Sequence, residues 1–227
     1  MTSQISTKVH KNIATRVVAK PRLTVELQTV ADLGVQRSYR KGAIIVNEGE
    51  VGDSLFILIQ GRVRVFSADA GDKEITLGTI LAGDFFGEMS LDGGTRSATV
   101  EALEPCLCAV VLNEHVLACV RDNCEFAISL LQKTIARARV ATQAVRDMAL
   151  LDVYERLAQT LNHLGKVTEA DSAPKTIDPL ITHAELAAHV GASREMVSKL
   201  MKDLERGGYI QVNTRQITLL MKLPAKW

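Results

Sequence analysis

The segment Gly83-Asp-Phe-Phe-Gly-Glu-Met-Ser-Leu-Asp-Gly-Gly-Thr-Arg-Ser-Ala98 gathers residue types that hold a phosphorylated sugar. A glycine-led turn exposes backbone N–H groups, and successive exposed N–H groups attract anions. Glu88 can accept from a ribose hydroxyl, while Arg96 with Ser97 can grip a phosphate through charge-assisted hydrogen bonds. The same residues allow a different arrangement, a turn closed on itself by an ion pair between Glu88 and Arg96. The string alone leaves both open.

A second concentration of chemistry lies near the C-terminus, where Arg194, Glu195, Ser198 and Lys199 fall in pairs about one helical turn apart. Arg and Lys can donate to guanine O6 and N7, and a glutamate can accept from cytosine N4. An ordinary solvated helix face has a similar composition, so the surroundings decide. Thr182 followed by Glu185 is a capping-box signal for a helix whose Leu186, Ala187 and Val190 form an apolar face and which Gly191 ends. Ser193 can N-cap a second helix with Val197, Leu200, Met201 and Leu204 on its buried stripe and Gly207-Gly208 as its stop. Two short helices joined by a glycine turn make a helix-turn-helix. The following Tyr209–Leu220 stretch reads as a two-stranded wing around Asn213 to Gln216, with Arg215 at its tip in reach of a phosphate.

The remaining reactive types point away from catalysis. The four cysteines, Cys106, Cys108, Cys119 and Cys124, form no CxxC pair and have no histidine at zinc-site spacing, so buried, reduced thiols are expected and no metal site. Neither a Ser/His/Asp or Cys/His grouping at an elbow nor a Walker loop occurs, and no catalytic residues are assigned.

The elements that must position these groups follow from patterning. Between Lys41 and about Val111, glycines separate strand-length segments such as Ser54–Gln60, Arg62–Phe66 and Glu74–Ile80, the rhythm of a compact β-sandwich or roll. From Ala127 the residues Leu131, Thr134, Ala138, Ala141, Val145 and Met148 recur at alternating intervals of four and three, placing one stripe along a helix that needs a partner. A two-chain coiled coil satisfies that need; packing on the β unit is the other solution. The stretch from Gly165 to Pro179 reads as a surface loop.

At 227 residues, two packed units with a connector are expected. The net charge of +1 conceals segregation. Residues 1–41 carry eight Lys/Arg against two Asp/Glu, residues 42–132 five against fourteen, residues 133–182 seven against six, and residues 183–227 seven against four. Phosphates would be repelled by the middle, so nucleic-acid contact belongs to the basic tail. No apolar run reaches eighteen residues and no charged-then-apolar export pattern opens the chain, so a cytoplasmic protein without membrane contact is expected.

The Gly83–Ala98 string closely resembles the phosphate-binding cassette of cyclic-nucleotide-binding domains. Together with Ser193-Arg-Glu-Met-Val-Ser-Lys199 and Leu151-Asp-Val-Tyr-Glu-Arg-Leu-Ala-Gln-Thr-Leu161, it makes the chain from about Arg40 to Leu220 similar to the catabolite activator protein branch of the CRP/FNR superfamily. The resemblance implies an α+β architecture: a jelly-roll-like N-terminal β-roll, a long dimerisation helix and a C-terminal winged helix-turn-helix. The corresponding parts are an N-terminal extension over 1–24, a cyclic-nucleotide-binding domain over 25–123, a dimerisation helix over 124–149 and a DNA-binding domain over 150–227. It also implies ligand contacts by Gly87, Glu88, Met89, Arg96 and Ser97, joined by Arg137 and Thr142 on the long helix. Double-stranded DNA with a pseudo-palindromic site, a second copy of the chain and RNA polymerase are the implied partners.

One departure concerns the ligand. The cAMP-responsive members carry Thr-Ser where this chain has Ala141 and Thr142, so one base contact is lost, and cGMP or cyclic di-GMP joins cAMP as an expected ligand. Lys199 stands where the family often has a second arginine, replacing a bidentate fork by a point charge. The oxygen-sensing branch would require N-terminal cysteines, which residues 1–41 lack. A ligand-independent or redox-controlled regulator of the same family is the nearest alternative, and a nucleotide-binding module without DNA function is the alternative of another class.

Overall fold

The computed structural model describes residues 23–71, 74–165, 175–177, 181–213, 216–224 and 226. Arg215 and residues 1–22, most of the expected N-terminal extension, lie outside them.

Thr24 caps the first helix, α1 (Val25–Ala31), by accepting from Leu27 N–H. Eight strands follow: β1 (Val35–Tyr39), β2 (Ile44–Val46), β3 (Ser54–Gln60), β4 (Arg62–Ala68), β5 (Glu74–Leu81), β6 (Phe85–Phe86), β7 (Thr99–Ala102) and β8 (Cys106–Leu112). They form two antiparallel four-stranded sheets in the orders β1-β8-β3-β6 and β2-β7-β4-β5. A core of Phe56, Leu58, Val63, Phe86, Val100 and Cys108 is shared by strands of both sheets. Phe56 and Phe86 stack with ring centroids 5.0 Å apart. The central strand β3 is buried over five consecutive residues, which accounts for its unbroken apolar run.

A second core joins Leu55, Ile57, Phe85 and Val111 to Leu27 of α1, Val116 of α2 (Asn113–Asp122) and Phe126 of the long helix α3 (Cys124–Leu150). Only the start of α3 is buried: Phe126 is its one buried residue. Leu151 and Asp152 then separate α3 from α4 (Val153–Leu164), which opens on a capping box between Asp152 and Glu155.

The C-terminal part holds α5 (His183–Val190), α6 (Arg194–Arg206) and strands β9 (Lys175–Ile177), β10 (Ile210–Asn213) and β11 (Gln216–Leu219). Its core contains Leu157, Leu161, Leu186, Val197, Met201 and Leu204. The expectation of a plain loop from Gly165 to Pro179 is corrected here. Lys175–Ile177 pairs with β11 to give the sheet order β10-β11-β9. Three residues are too few to display alternation, but Ile177 is buried against the C-terminal core and fixes the register.

The thiols also depart from expectation in part. All four are free, Cys106 and Cys108 are buried, Cys119 is half-buried and Cys124 is exposed. Cys124 is the first residue of α3 and turns to solvent, two positions before the buried Phe126. Burial pushes the Cys108 thiol up to about 12 and raises Cys106 as well. Because the thiolate is the nucleophile, alkylation at pH 8 is expected to label Cys124 in the native protein and to reach Cys106 and Cys108 only after denaturation. Mass-spectrometric mapping of the adducts checks this, and prompt native labelling of Cys108 would contradict the burial. No helix among the described residues is long and apolar enough to cross a membrane.

Candidate functional site

Gly87 turns the chain from β6 into a 3-10 helix over Glu88–Asp92 at φ +88°, in the left-handed region that favours glycine. A Cβ there would lie 2.5 Å from Arg96 Nη1 and 3.1 Å from the Ser54 carbonyl oxygen, so only glycine fits. The residue it makes room for is turned inward. Arg96 is 7% exposed. Its Nη1 donates to Gly87 O at 3.0 Å and Ser90 Oγ at 2.8 Å, and its Nη2 to Ser54 O at 2.7 Å and Ser54 Oγ at 3.4 Å. Asn113 reinforces the same layer from α2 by donating to Gly52 O and Ser90 O. Burial lowers the Arg96 pKa from its ordinary value, opposed by the charges of Asp53, Glu50 and Glu88.

Glu88 does not close the turn on Arg96. Its Oε2 lies 2.7 Å from Nη1 of Arg137, which reaches across from α3. The Nη2 of Arg137 donates to the Phe85 carbonyl oxygen and faces Asp84 Oδ1 at 3.4 Å, and Lys133 Nζ meets Asp84 Oδ2 at 3.2 Å. Lys133 and Arg137 are four residues apart and therefore share one face of α3. Two carboxylates of the cassette thus engage two cations of the helix. Sequence spacing does not single out Asp84 and Lys133; the signal it holds for them is a cation one turn ahead of Arg137.

Of the other cassette residues, Ser97 and Met89 are both exposed, and the Ser97 hydroxyl donates to Met89 Sδ at 3.1 Å. An open groove of about 250 Å³ lies beside them, lined by Glu88, Met89 and Leu91 on one side and by Leu130, Leu131 and Thr134 on the other. Farther along α3, Thr142 Oγ1 donates to Ala138 O at 2.9 Å, and the neighbouring Ala141 offers only a methyl group.

The apolar stripe of α3 is uncovered in the single chain. Leu131, Thr134, Ala138, Ala141, Val145 and Met148 are all exposed, Val145 by 68%. Ile128 and Ile135, outside the 4-3 spacing, widen it. Exposed apolar surface of this extent marks an interaction face.

The C-terminal helices form as their caps dictate. Thr182 and Glu185 complete a capping box on α5, Gly191 ends it at φ +63°, and Ser193 caps α6 by accepting from Met196 N–H. On α6, Val197, Leu200, Met201 and Leu204 are buried while Arg194, Glu195 and Lys199 project outward, joined by Lys202. Ser198 is half-buried because His183 of α5 meets its hydroxyl at 3.0 Å through Nδ1, a contact that sequence spacing does not reveal.

Comparisons agree with this layout. Residues 36–123 match the cyclic nucleotide-binding domain family, and residues 155–222 match the Crp-like helix-turn-helix domain. The cAMP-activated global transcriptional regulator CRP of Pasteurella multocida is 33% identical over 183 residues, covering 80% of this chain and 88% of that protein. The cAMP-activated global transcriptional regulator Vfr of Pseudomonas aeruginosa is 32% identical over 189 residues, covering 81% and 88%. Among solved structures, the c-di-GMP responsive global regulator CLP of Xanthomonas campestris superposes with a TM-score of 0.77 at 24% identity, covering 86% of this chain and 98% of that one. A CRP/FNR-family transcriptional regulator of Thermus thermophilus superposes with a TM-score of 0.66 at 26% identity, covering 84% and 94%. With a β-roll cassette, a long helix and a winged helix-turn-helix in the order of these relatives, the chain belongs to the CRP/FNR superfamily of cyclic-nucleotide-binding, DNA-binding transcription regulators, a family that is not one of enzymes.

Proposed function

We propose that a cyclic nucleotide seats between the cassette and α3 and changes how well a homodimer reads DNA. The ion pair of Glu88 with Arg137 carries the proposal, because it ties the sugar-binding carboxylate to the helix whose exposed stripe faces a second chain. Gly87, Arg96 and Ser97 hold the phosphate, with Met89 beside the base; Thr142 borders the base from the helix. A ligand arriving there competes with Arg137 for Glu88, so its presence is felt on α3. The dimer then presents two copies of α6 to successive major grooves of a pseudo-palindrome, with Arg194, Glu195 and Lys199 on base edges. Ser198 and Arg215 are assigned to the same interface, Arg215 to phosphate. Contact with RNA polymerase belongs to the same proposal. For the switch to work, a hundredfold preference of the ligand for the DNA-competent arrangement corresponds to about 2.7 kcal/mol.

Among ligands, cAMP is the first assignment, since the relatives at 32–33% identity are cAMP-activated regulators. Ala141 favours a second reading. It offers no hydrogen bond to a base, and the Thr142 hydroxyl hydrogen already serves Ala138 O, which leaves room for cyclic di-GMP or cGMP. Calorimetry of the purified protein against cAMP, cGMP and cyclic di-GMP tests both. Heat from at least one is expected, with Ala141→Thr strengthening cAMP if cAMP is the ligand. No heat from any would overturn the proposal and favour a regulator that works without a nucleotide.

A further inference from the structure

An α-helix leaves its last carbonyls without partners inside the helix. At the joint between the long helix and the DNA-reading unit, two such ends share one donor. Leu151 is the C-cap of α3 and Val190 is the last residue of α5. The Arg156 side chain, from the second turn of α4, donates through Nη1 to Leu151 O at 2.6 Å and through Nε to Val190 O at 2.8 Å. The guanidinium is a rigid planar fork with donors in fixed directions, and a cation suits the negative end of both helix dipoles.

Among the described residues, the other junction of the DNA-reading unit with the rest of the chain is α5 lying along β5 of the roll. The C-terminal core contains none of the described residues that precede Val153, so α3 contributes nothing to it. Apart from the two-residue connection, the turn after α5 rests on its neighbours at Gly191. The position a Cβ would take there is 3.7 Å from Met148 Cε of α3 and 3.8 Å from Ile75 Cδ1 of β5. These contacts are soft, whereas the fork is directional.

We propose that Arg156 is a positioning residue that sets the angle of α6 relative to the dimer helix, and so the separation of the two reading helices. This rests on the dimeric DNA reading proposed above. Without the fork, only the packing of α5 on β5 and Met148 restrains the unit, its angle shifts about Leu151 and Asp152, and the protein loses discrimination between correctly and incorrectly spaced half-sites.

The test uses the full-length protein and the pseudo-palindrome that it selects from random DNA. Inserting two base pairs between the half-sites rotates one by roughly 70° about the DNA axis, since a turn takes about 10 to 10.5 base pairs. Wild type is expected to bind the lengthened site much more weakly. Arg156→Gln and Arg156→Lys, which lacks the fork, are expected to cut that spacing penalty to a third or less while binding an isolated half-site within twofold of wild type. Hydrogen exchange should quicken at residues 148–153 and 188–193 in both variants and stay unchanged in α6. An unaltered spacing penalty together with unaltered exchange would overturn the proposal. Loss of half-site binding with faster exchange throughout the unit would also overturn it, by making Arg156 a general stabiliser. If wild type itself shows no spacing penalty, the dimeric reading fails, and the exchange pattern alone decides the role of Arg156.

Discussion

Arg96→Ala is expected to lower the melting temperature of the ligand-free protein by about 8 °C or more. The side chain is buried, and its loss takes from Ser54 O and Ser90 Oγ the guanidinium that reaches them, while Gly87 O keeps the Ser90 hydroxyl as donor. A buried acceptor deprived of its partner costs about 1 to 3 kcal/mol, so two cost at least roughly 2 kcal/mol. One kilocalorie shifts the midpoint of a domain of about 100 residues by roughly 4 to 8 °C. An arginine that served only as a phosphate anchor would behave differently: its removal would abolish ligand binding and leave the ligand-free melting curve in place. Scanning calorimetry without nucleotide separates the two. An unchanged midpoint would mean that the four internal hydrogen bonds contribute nothing to holding the cassette.

Val145→Glu is expected to split the dimer and, with it, to weaken DNA binding by about 10² to 10⁴-fold, the advantage that linking two binding modules confers. Val145 is the most exposed large apolar residue of the seam assigned to α3. In a parallel pair of helices a stripe residue meets its own copy, so the substitution buries two carboxylates against each other without partners. Leu131→Glu should act in the same way from the other end of the stripe. Analytical ultracentrifugation reads the first effect and titration of a two-half-site duplex the second. Dimers of wild-type stability in both variants would show that the exposed stripe is not the seam.

Local signals were legible in the sequence, and distant ones were not. The two C-terminal helices announce themselves through Thr182, Glu185, Gly191 and Ser193, each acting within four residues of its partner, and all four behave in the structure as their chemistry requires. The boundaries of β3 likewise match its apolar run, since a strand buried on both faces needs no alternation to be recognised. Arg96 illustrates the limit. Its spacing suits a phosphate grip as well as an internal role, and the Ser54 carbonyl that turns it inward lies 42 positions away. The clamp of Asp84 and Glu88 on Lys133 and Arg137 spans a similar separation and depends on where α3 crosses the roll. The alternating 4-3 spacing locates the stripe on α3 but omits Ile128 and Ile135, because a helix face is wider than a strict heptad seam. Strand β9 escapes notice because its pairing with β11 supplies the order that three residues cannot specify.

The most direct test of ligand-controlled DNA reading is the affinity of the full-length protein for its selected pseudo-palindrome, measured at one salt concentration with and without each nucleotide. Salt must be fixed because phosphate contacts make such affinities fall steeply as it rises. At least one of cAMP, cGMP and cyclic di-GMP is expected to change the affinity tenfold or more, equivalent to about 1.4 kcal/mol of coupling. Equal affinity in the presence and absence of all three, at concentrations that saturate the protein in calorimetry, would contradict it.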